Sequence, residues 1–357
     1  MNKTTKTILW LMVAIIIIGG IWYGVSRKPT TSTINGFIKI GAILPLTGDF
    51  AEYGKDELSA LELFVEEWNS KNNVKIKLLV EDSRTDPKEA ISALNRLLLE
   101  NPKVFLTVGS SISLSLQPII NEKQIPTIAV AVNPDIAKGF MIQNNPTADD
   151  YVNLVAQEIL KKNFKKIGLI LRNDDFGKAI RESLTEKIKN KVEIIEELVS
   201  TEEFDFRTPV TKIKSKNPDV VFVSHVSKKL GLIIFQIRNL MGNIPIYANL
   251  EVSYPEVKEA AGASYYNIKY SDLNIDYNQP DLKTFKEKYV LKFNKEPSLD
   301  SILAYNEMLI LSNCLSYEKG DLLNCLLKTS VNGLTGPLSI LNNRIDYSES
   351  MVMKEIK

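Results

Sequence analysis

Three serines crowd one turn of this chain, Ser110, Ser111 and Ser113, directly after the apolar run Val104–Val108 and Gly109. At the start of a helix they would combine hydroxyls with exposed N–H donors and the positive end of the dipole, which suits an anion. The plainer reading is that Ser111 or Ser113 caps the helix. The other residues point away from catalysis. The one histidine, His225, reads as a half-buried residue at a strand end, and the two cysteines, Cys314 and Cys325, lie far from it in sequence. With no glycine-rich phosphate loop and no metal-spaced cluster, the chain reads as a binding protein and not an enzyme, with no cofactor and no metal.

Such groups need a scaffold that brings distant loops together. The run Ile38–Leu44 stops at Pro45, Thr47, Gly48 and Asp49 form a polar turn, and Tyr53-Gly54 opens an amphipathic segment. This is a strand, a loop and a helix with Leu58, Leu61, Phe64, Val65 and Trp68 on one face, the unit of doubly wound α/β sheets. In those sheets ligands sit beyond the carboxyl ends of the strands, which makes the Pro45–Gly54 loop a candidate contact. The rhythm continues. Strand Lys75–Val80 precedes a helix opened by Asp86-Pro87, and then come strand Val104–Val108, helix Ser113–Glu122 and strand Pro126–Ala131. A second series runs from helix Ala148–Leu160 to strand Pro245–Tyr247, and Met141–Pro146 is a plausible crossover between the two. Two such series predict two lobes, each with a parallel sheet covered on both faces. The last third reads as mainly helical, over Asp281–Phe293, Ser298–Ser316 and Asp321–Thr329, and ends in a turn and a weak strand.

Ahead of the lobes, Ile8–Val25 is almost wholly apolar, with Trp22 and Tyr23 near its end and basic residues on both sides. It predicts an uncleaved membrane anchor, with a cleaved signal peptide as the competing reading. Arg27–Asn35 reads as a polar tether. Either reading exports the two lobes. In an exported chain Cys314 and Cys325 can pair, and two buried free thiols are the alternative. The formal net charge of +1 on 357 residues, with acids and bases interspersed, argues against a nucleic-acid partner.

Four blocks carry a family likeness. They are Ile40–Gly48 with Tyr53-Gly54, Gly109–Ser113 running into Gln117-Pro118-Ile119, Lys166–Ile170 with Asp174–Gly177, and Gly333–Leu338. In this order they resemble the leucine/isoleucine/valine-type substrate-binding proteins of ABC importers, which have the type I periplasmic binding fold. The resemblance implies two lobes joined by three crossovers, closing on a small solute by hinge motion. Lobe one would hold residues 36–144 and 250–331, and lobe two 145–249 and 332–357. The implied function is capture of an amino-acid-like solute outside the cytoplasmic membrane and its delivery to ABC permease and ATPase subunits. The same fold could instead serve a membrane-anchored receptor acting with a separate signalling chain.

Residue by residue, the resemblance puts Ser113, with Ser110 and Ser111 beside it, on the ligand carboxylate. Ala131, Val132 and Asn133 form the next contact, where the family usually has a threonine at the position of Val132. Tyr53 and Phe176 match the aromatics that cover the ligand, Val226 stands where a tyrosine is common, and Glu251 matches the acid that receives the ligand ammonium. Because Val132 and Val226 depart from the pattern, an altered ligand is expected.

Overall fold

The computed structural model describes residues 37–317, 319–347 and 350–357. The expected anchor Ile8–Val25 lies outside them; among the described residues no helix is long and apolar enough to cross a membrane. The first half alternates strand and helix: β1 (Ile38–Leu44), α1 (Ala51–Lys71), β2 (Ile76–Asp82), α2 (Pro87–Leu98), β3 (Val104–Val108), α3 (Ser110–Lys123), β4 (Thr127–Val130) and β5 (Met141–Gln143). The second half repeats the pattern with α4 (Ala148–Lys161), β6 (Lys166–Arg172), α5 (Asp175–Ile188), β7 (Glu193–Val199), α6 (Arg207–Lys214), β8 (Val220–Ser224), α7 (Ser227–Met241), β9 (Ile246–Ala248), α8 (Pro255–Ala261) and β10 (Ile268–Leu273). The remainder is α9 (Pro280–Phe293), α10 (Leu299–Ser312), α11 (Lys319–Leu326), β11 (Ser330–Gly333), β12 (Gly336–Leu341), β13 (Arg344–Ile345) and β14 (Met351–Ile356).

The strands form an eight-stranded sheet in the order β11-β12-β13-β5-β4-β3-β1-β2 and a six-stranded sheet in the order β14-β10-β9-β8-β6-β7. The βαβ strands pair in parallel, β1 between β2 and β3, and β6 between β7 and β8. Each sheet reverses its winding direction there, between β1 and β3 and between β6 and β8, which leaves a crevice at the carboxyl ends of those strands. Side chains alternate between two cores, as a strand buried on both faces requires. Ile40, Ala42 and Leu44 of β1 enter one cluster with Leu61 and Phe64, while Ile43 enters another with Leu94 and Phe105.

The sheets divide the chain differently from the expected lobe boundaries. Residues 268–273, expected in lobe one, form β10 of the second sheet, paired in parallel with β9. Residues 336–345, expected in lobe two, extend the first sheet, where β13 meets β5 at Arg344 and Gln143. The physical reason is that α8 packs on α7 and completes one more βαβ unit of the second sheet. The chain therefore passes between the sheets after β5, after β10 and after β13. Cys314 and Cys325 are joined in a disulfide that spans the turn between α10 and α11, with Cα atoms 5.8 Å apart.

Two corresponding helix starts are held close to their strands by glycine. At Gly54 a Cβ would lie 2.4 Å from the Pro45 carbonyl oxygen, and at Gly177 it would lie 1.8 Å from that of Arg172. In each lobe the residue before the glycine is aromatic, Tyr53 on α1 and Phe176 on α5, and both line the space between the lobes. The aromatic-glycine pairs are thus one device used twice: the glycine seats the helix and its neighbour faces the crevice.

Candidate functional site

The carboxyl ends of β1, β3, β4, β6 and β9 converge on one cavity. Tyr53 comes from the first loop and helix, Gly109 and Ser110 from the turn after β3, Ala131 and Val132 from the end of β4, Phe176 from α5, and Glu251 from the turn after β9. Tyr151 of α4, Tyr254 at the start of α8, and Leu299, Asp300 and Leu303 of α10 complete much of the wall. The cavity is tight. About 40 Å³ of it is open to the centre of a water-sized sphere, roughly three times the least that holds one water.

One end presents donors. Gly109, at φ 96°, turns the chain straight out of β3, so α3 starts at Ser110 and not at Ser113. The Ser110 hydroxyl oxygen accepts the N–H groups of Val132 at 3.3 Å and Asn133 at 3.2 Å, which leaves its hydrogen to be donated. The N-terminus of this 14-residue helix faces the same space. The other end presents carboxylates. Tyr151 Oη donates to Glu251 Oε1 at 3.3 Å, and Asn249 Nδ2 donates to Glu251 Oε2. Tyr254 Oη donates to Asp300 Oδ2 at 2.8 Å. Both acids are only 8% exposed. Burial pushes Glu251 up to about 8, against the hydrogen bond from Asn249 and helped by the negative charge of Asp300. Burial likewise pushes Asp300 up to about 7. Tyr53, Tyr151 and Tyr254 are raised well above the usual phenol value, first by burial and then by neighbouring acids, Glu256 foremost for Tyr53, Glu251 for Tyr151 and Asp300 for Tyr254, so all three stay protonated. The Tyr53 and Tyr254 rings meet edge to face at 5.2 Å.

Beside the cavity lies a balanced ionic cluster that joins the lobes. Asp49, from the loop after β1, accepts Arg172 Nη1 at 3.0 Å and Lys229 Nζ at 3.0 Å on both oxygens. Arg172 also donates to Asp174 at 2.5 Å and stacks over the Phe50 ring at 5.0 Å. Further bonds cross between the lobes nearby. The N–H of Ser227, a non-glycine residue at φ 53°, donates to Tyr53 Oη at 2.7 Å, and Asn133 Nδ2 donates to the Asp175 carbonyl at 3.2 Å.

Of the residues expected at the site, Tyr53, Ser110, Ala131, Val132, Phe176 and Glu251 stand together in the wall. The other four lie elsewhere. Ser113 is fully buried behind the helix start, with its hydroxyl 2.9 Å from that of Thr107. Ser111 accepts the Asp175 N–H at 3.3 Å in the neighbouring crevice. Asn133 spends its side chain on Asp135 and on the Asp175 carbonyl, and Val226 is packed in the second lobe's core. His225 is fully buried beside Val226, and burial holds its imidazole down at about 3, so it is neutral. Sequence reasoning missed Tyr151, Tyr254 and Asp300. Asp300 follows the Ser298 cap and reads as an ordinary first-turn acid, and Tyr151 reads as one more apolar residue of an amphipathic helix. The spacing of Tyr254 three residues after Glu251 was a usable signal.

Comparison with known proteins agrees with this fold. A family model described as periplasmic binding protein matches residues 38–337. A Leu/Ile/Val-binding protein of Citrobacter freundii is 25% identical over 330 residues, covering 85% of this chain and 86% of that one. The crystal structure of a leucine binding protein, LivK, from Thermotoga maritima superposes with a TM-score of 0.82 at 22% identity, covering 90% of this chain and 95% of the other. That of the branched-chain amino acid transporter substrate binding protein LivJ from Streptococcus pneumoniae, in complex with isoleucine, gives 0.77 at 22% identity, with 90% and 100% covered. At that identity the structural likeness speaks for the fold.

Proposed function

Because the chain belongs to the periplasmic binding protein family, we propose that it captures an amino-acid-like solute outside the cytoplasm and hands it to the permease and ATPase subunits of an ABC importer. The observation that carries this reading is the polarity of the cavity: a helix N-terminus and the Ser110 hydroxyl at one end, and Glu251 under Tyr151 at the other. A carboxylate fits the first and an ammonium the second. The names of the relatives support the same solute class. Ala131 and Val132 contribute backbone and apolar surface, and Tyr53 and Phe176 close over the solute from opposite lobes. Ile8–Val25 anchors the protein in this reading, and retention in the membrane pellet through an alkaline wash tests it; release would overturn it.

The reading is tested by thermal melting of the purified protein against a panel of amino acids, amides and amines. A ligand present at one hundred times its dissociation constant should add about 2.7 kcal/mol of stability. No shift with any member of the panel would refute solute capture of this class.

A further inference from the structure

We infer that the solute is a cation overall, bearing a second ammonium group besides the one that meets Glu251, and that Asp300 selects for it. The inference rests on the cavity being the solute site and names the class of solute it takes.

Charge counting carries the argument. The cavity wall holds two acids, Glu251 and Asp300, and no lysine, arginine or histidine. The nearest cluster of cations is already committed, since Arg172 and Lys229 are held by Asp49 and Asp174. The charges that act most strongly on Asp300 are acids, Asp56 of α1 and Glu256 of α8, and both raise its carboxyl. Asp300 in turn acts on Glu57 of α1 and on Glu251. Its carboxyl accepts hydrogen bonds from the Tyr254 hydroxyl and from its own backbone N–H, neither of which carries a charge. A zwitterion such as leucine neutralises one carboxylate with its ammonium and sends its own carboxylate to the donor end. The second acid then stays enclosed without a counter-charge, an arrangement that costs several kcal/mol or forces protonation. A solute with two ammonium groups satisfies both acids. Among the described residues no group of three or more His, Cys, Asp or Glu is set to hold a metal ion, so the acids do not read as a metal site.

Two further observations point the same way. The aromatic rings of Tyr53 and Tyr254 flank the acid end, and aromatic faces attract desolvated cations. A groove that shares Tyr53, Tyr254 and Leu299 with the cavity leads outward past Glu256 and Glu259. The other acids along it, Glu52, Asp56, Asp272 and Glu296, are paired with Lys55, Lys295, Lys354 and Lys286. A slim alkylammonium chain that leaves the cavity past Asp300 enters this groove, where Glu256 and Glu259 are the carboxylates left to meet it.

Two sources share this chemistry, a basic amino acid and a free diamine. The test is isothermal titration of the full chain with L-lysine, L-norleucine, L-leucine and 1,5-diaminopentane, because norleucine matches lysine in shape without the second ammonium. Lysine or the diamine should bind about 100-fold tighter than norleucine, the fold-change expected from one enclosed unpaired charge. A preference for lysine over the diamine identifies the amino acid; the reverse identifies the amine. Asp300→Asn should erase the discrimination, bringing the dissociation constants of lysine and norleucine to within a few-fold of each other. A second readout needs no variant. Binding of a dication to partly protonated Glu251 and Asp300 at pH 6.5 should release protons, seen as a binding enthalpy that changes with the ionisation enthalpy of the buffer. Norleucine or leucine binding as tightly as lysine would overturn the inference and leave solute capture intact. Lysine binding that ignores Asp300→Asn, or that releases no proton, would also overturn it. Silence from all four compounds would overturn the inference, and the wider panel of the melting experiment then decides whether solute capture falls with it.

Discussion

Replacing Asp49 by alanine should open the protein without unfolding it. Asp49 belongs to the first lobe and holds two cations of the second, Arg172 and Lys229, each at 3.0 Å. Those cations are 4% and 2% exposed at the side chain, and Asp49 is 23% exposed. At an effective dielectric of 20 each contact is worth about 5 kcal/mol of gross attraction, most of it offset by desolvation. Removing one partner of a buried pair has a net effect of about 3–5 kcal/mol. Arg172 keeps Asp174 in the variant, whereas Lys229 keeps only the Thr201 carbonyl and the face of Phe204, 4.3 Å away. The lower figure, about 3 kcal/mol, is therefore appropriate. Where that energy falls is the point at issue. If the lobes hinge, Lys229 can return to water by opening, so the penalty falls on closure and not on folding. The closed form should lose about 100-fold in population, with little change in melting temperature. Small-angle scattering reads the outcome as a larger radius of gyration for D49A than for the wild type. Unchanged scattering together with a melting temperature lowered by the full penalty would refute the reasoning, because the cluster would then hold the fold and not its closure.

Three other outcomes rest on packing and burial. Glu57 and Glu307 are buried without a cation, Glu57 with both oxygens unpartnered, and burial raises both, Glu307 to about 8. Folded values above the unfolded ones mean that the folded protein holds more protons between about pH 4 and 8, so stability falls as pH rises through that window; E57Q should flatten the decline in melting temperature from pH 5 to 9, and an equal decline in the variant would count against it. Reducing the Cys314–Cys325 disulfide, or C314A/C325A, should lower the stability measured by urea unfolding by about 3 kcal/mol for so short a loop. Gly177→Ala places a methyl 1.8 Å from the Arg172 carbonyl oxygen and should lower stability by about 2–3 kcal/mol, whereas alanine at the open Gly320 meets no atom within 4 Å and serves as the control in the same melts.

What the sequence discloses about this molecule is set by how local the determinant is. β1 occupies the expected Ile38–Leu44, because an apolar run ended by proline is a local signal. The paired aromatic-glycine steps are local too, and they deliver Tyr53 and Phe176 to the cavity. β10 was invisible because Ile268–Leu273 mixes apolar and polar residues, and its pairing is decided by β9 and β14 on either side. Ser113 lost its place to Ser110 through one backbone angle, the φ of 96° at Gly109 that starts the helix early. Asp300 was beyond reach for a different reason. Its neighbours Tyr254 and Glu251 are some fifty residues away in the chain, and only the closing of one lobe on the other turns a surface acid into an enclosed one.

The way the last strands are shared also has a consequence for the order of synthesis. β11, β12 and β13 finish the first sheet and β14 finishes the second, so neither lobe is whole until residues 330–356 have been made. Chains usually fold domain by domain as they emerge. Here the N-terminal three hundred residues must wait with the outer edges of β5 and β10 uncovered, since β13 and β14 pair with them last. Such edges invite pairing with other chains. A chain cut short before residue 330 would therefore expose two unfinished sheets, of five strands each, with an open edge on both.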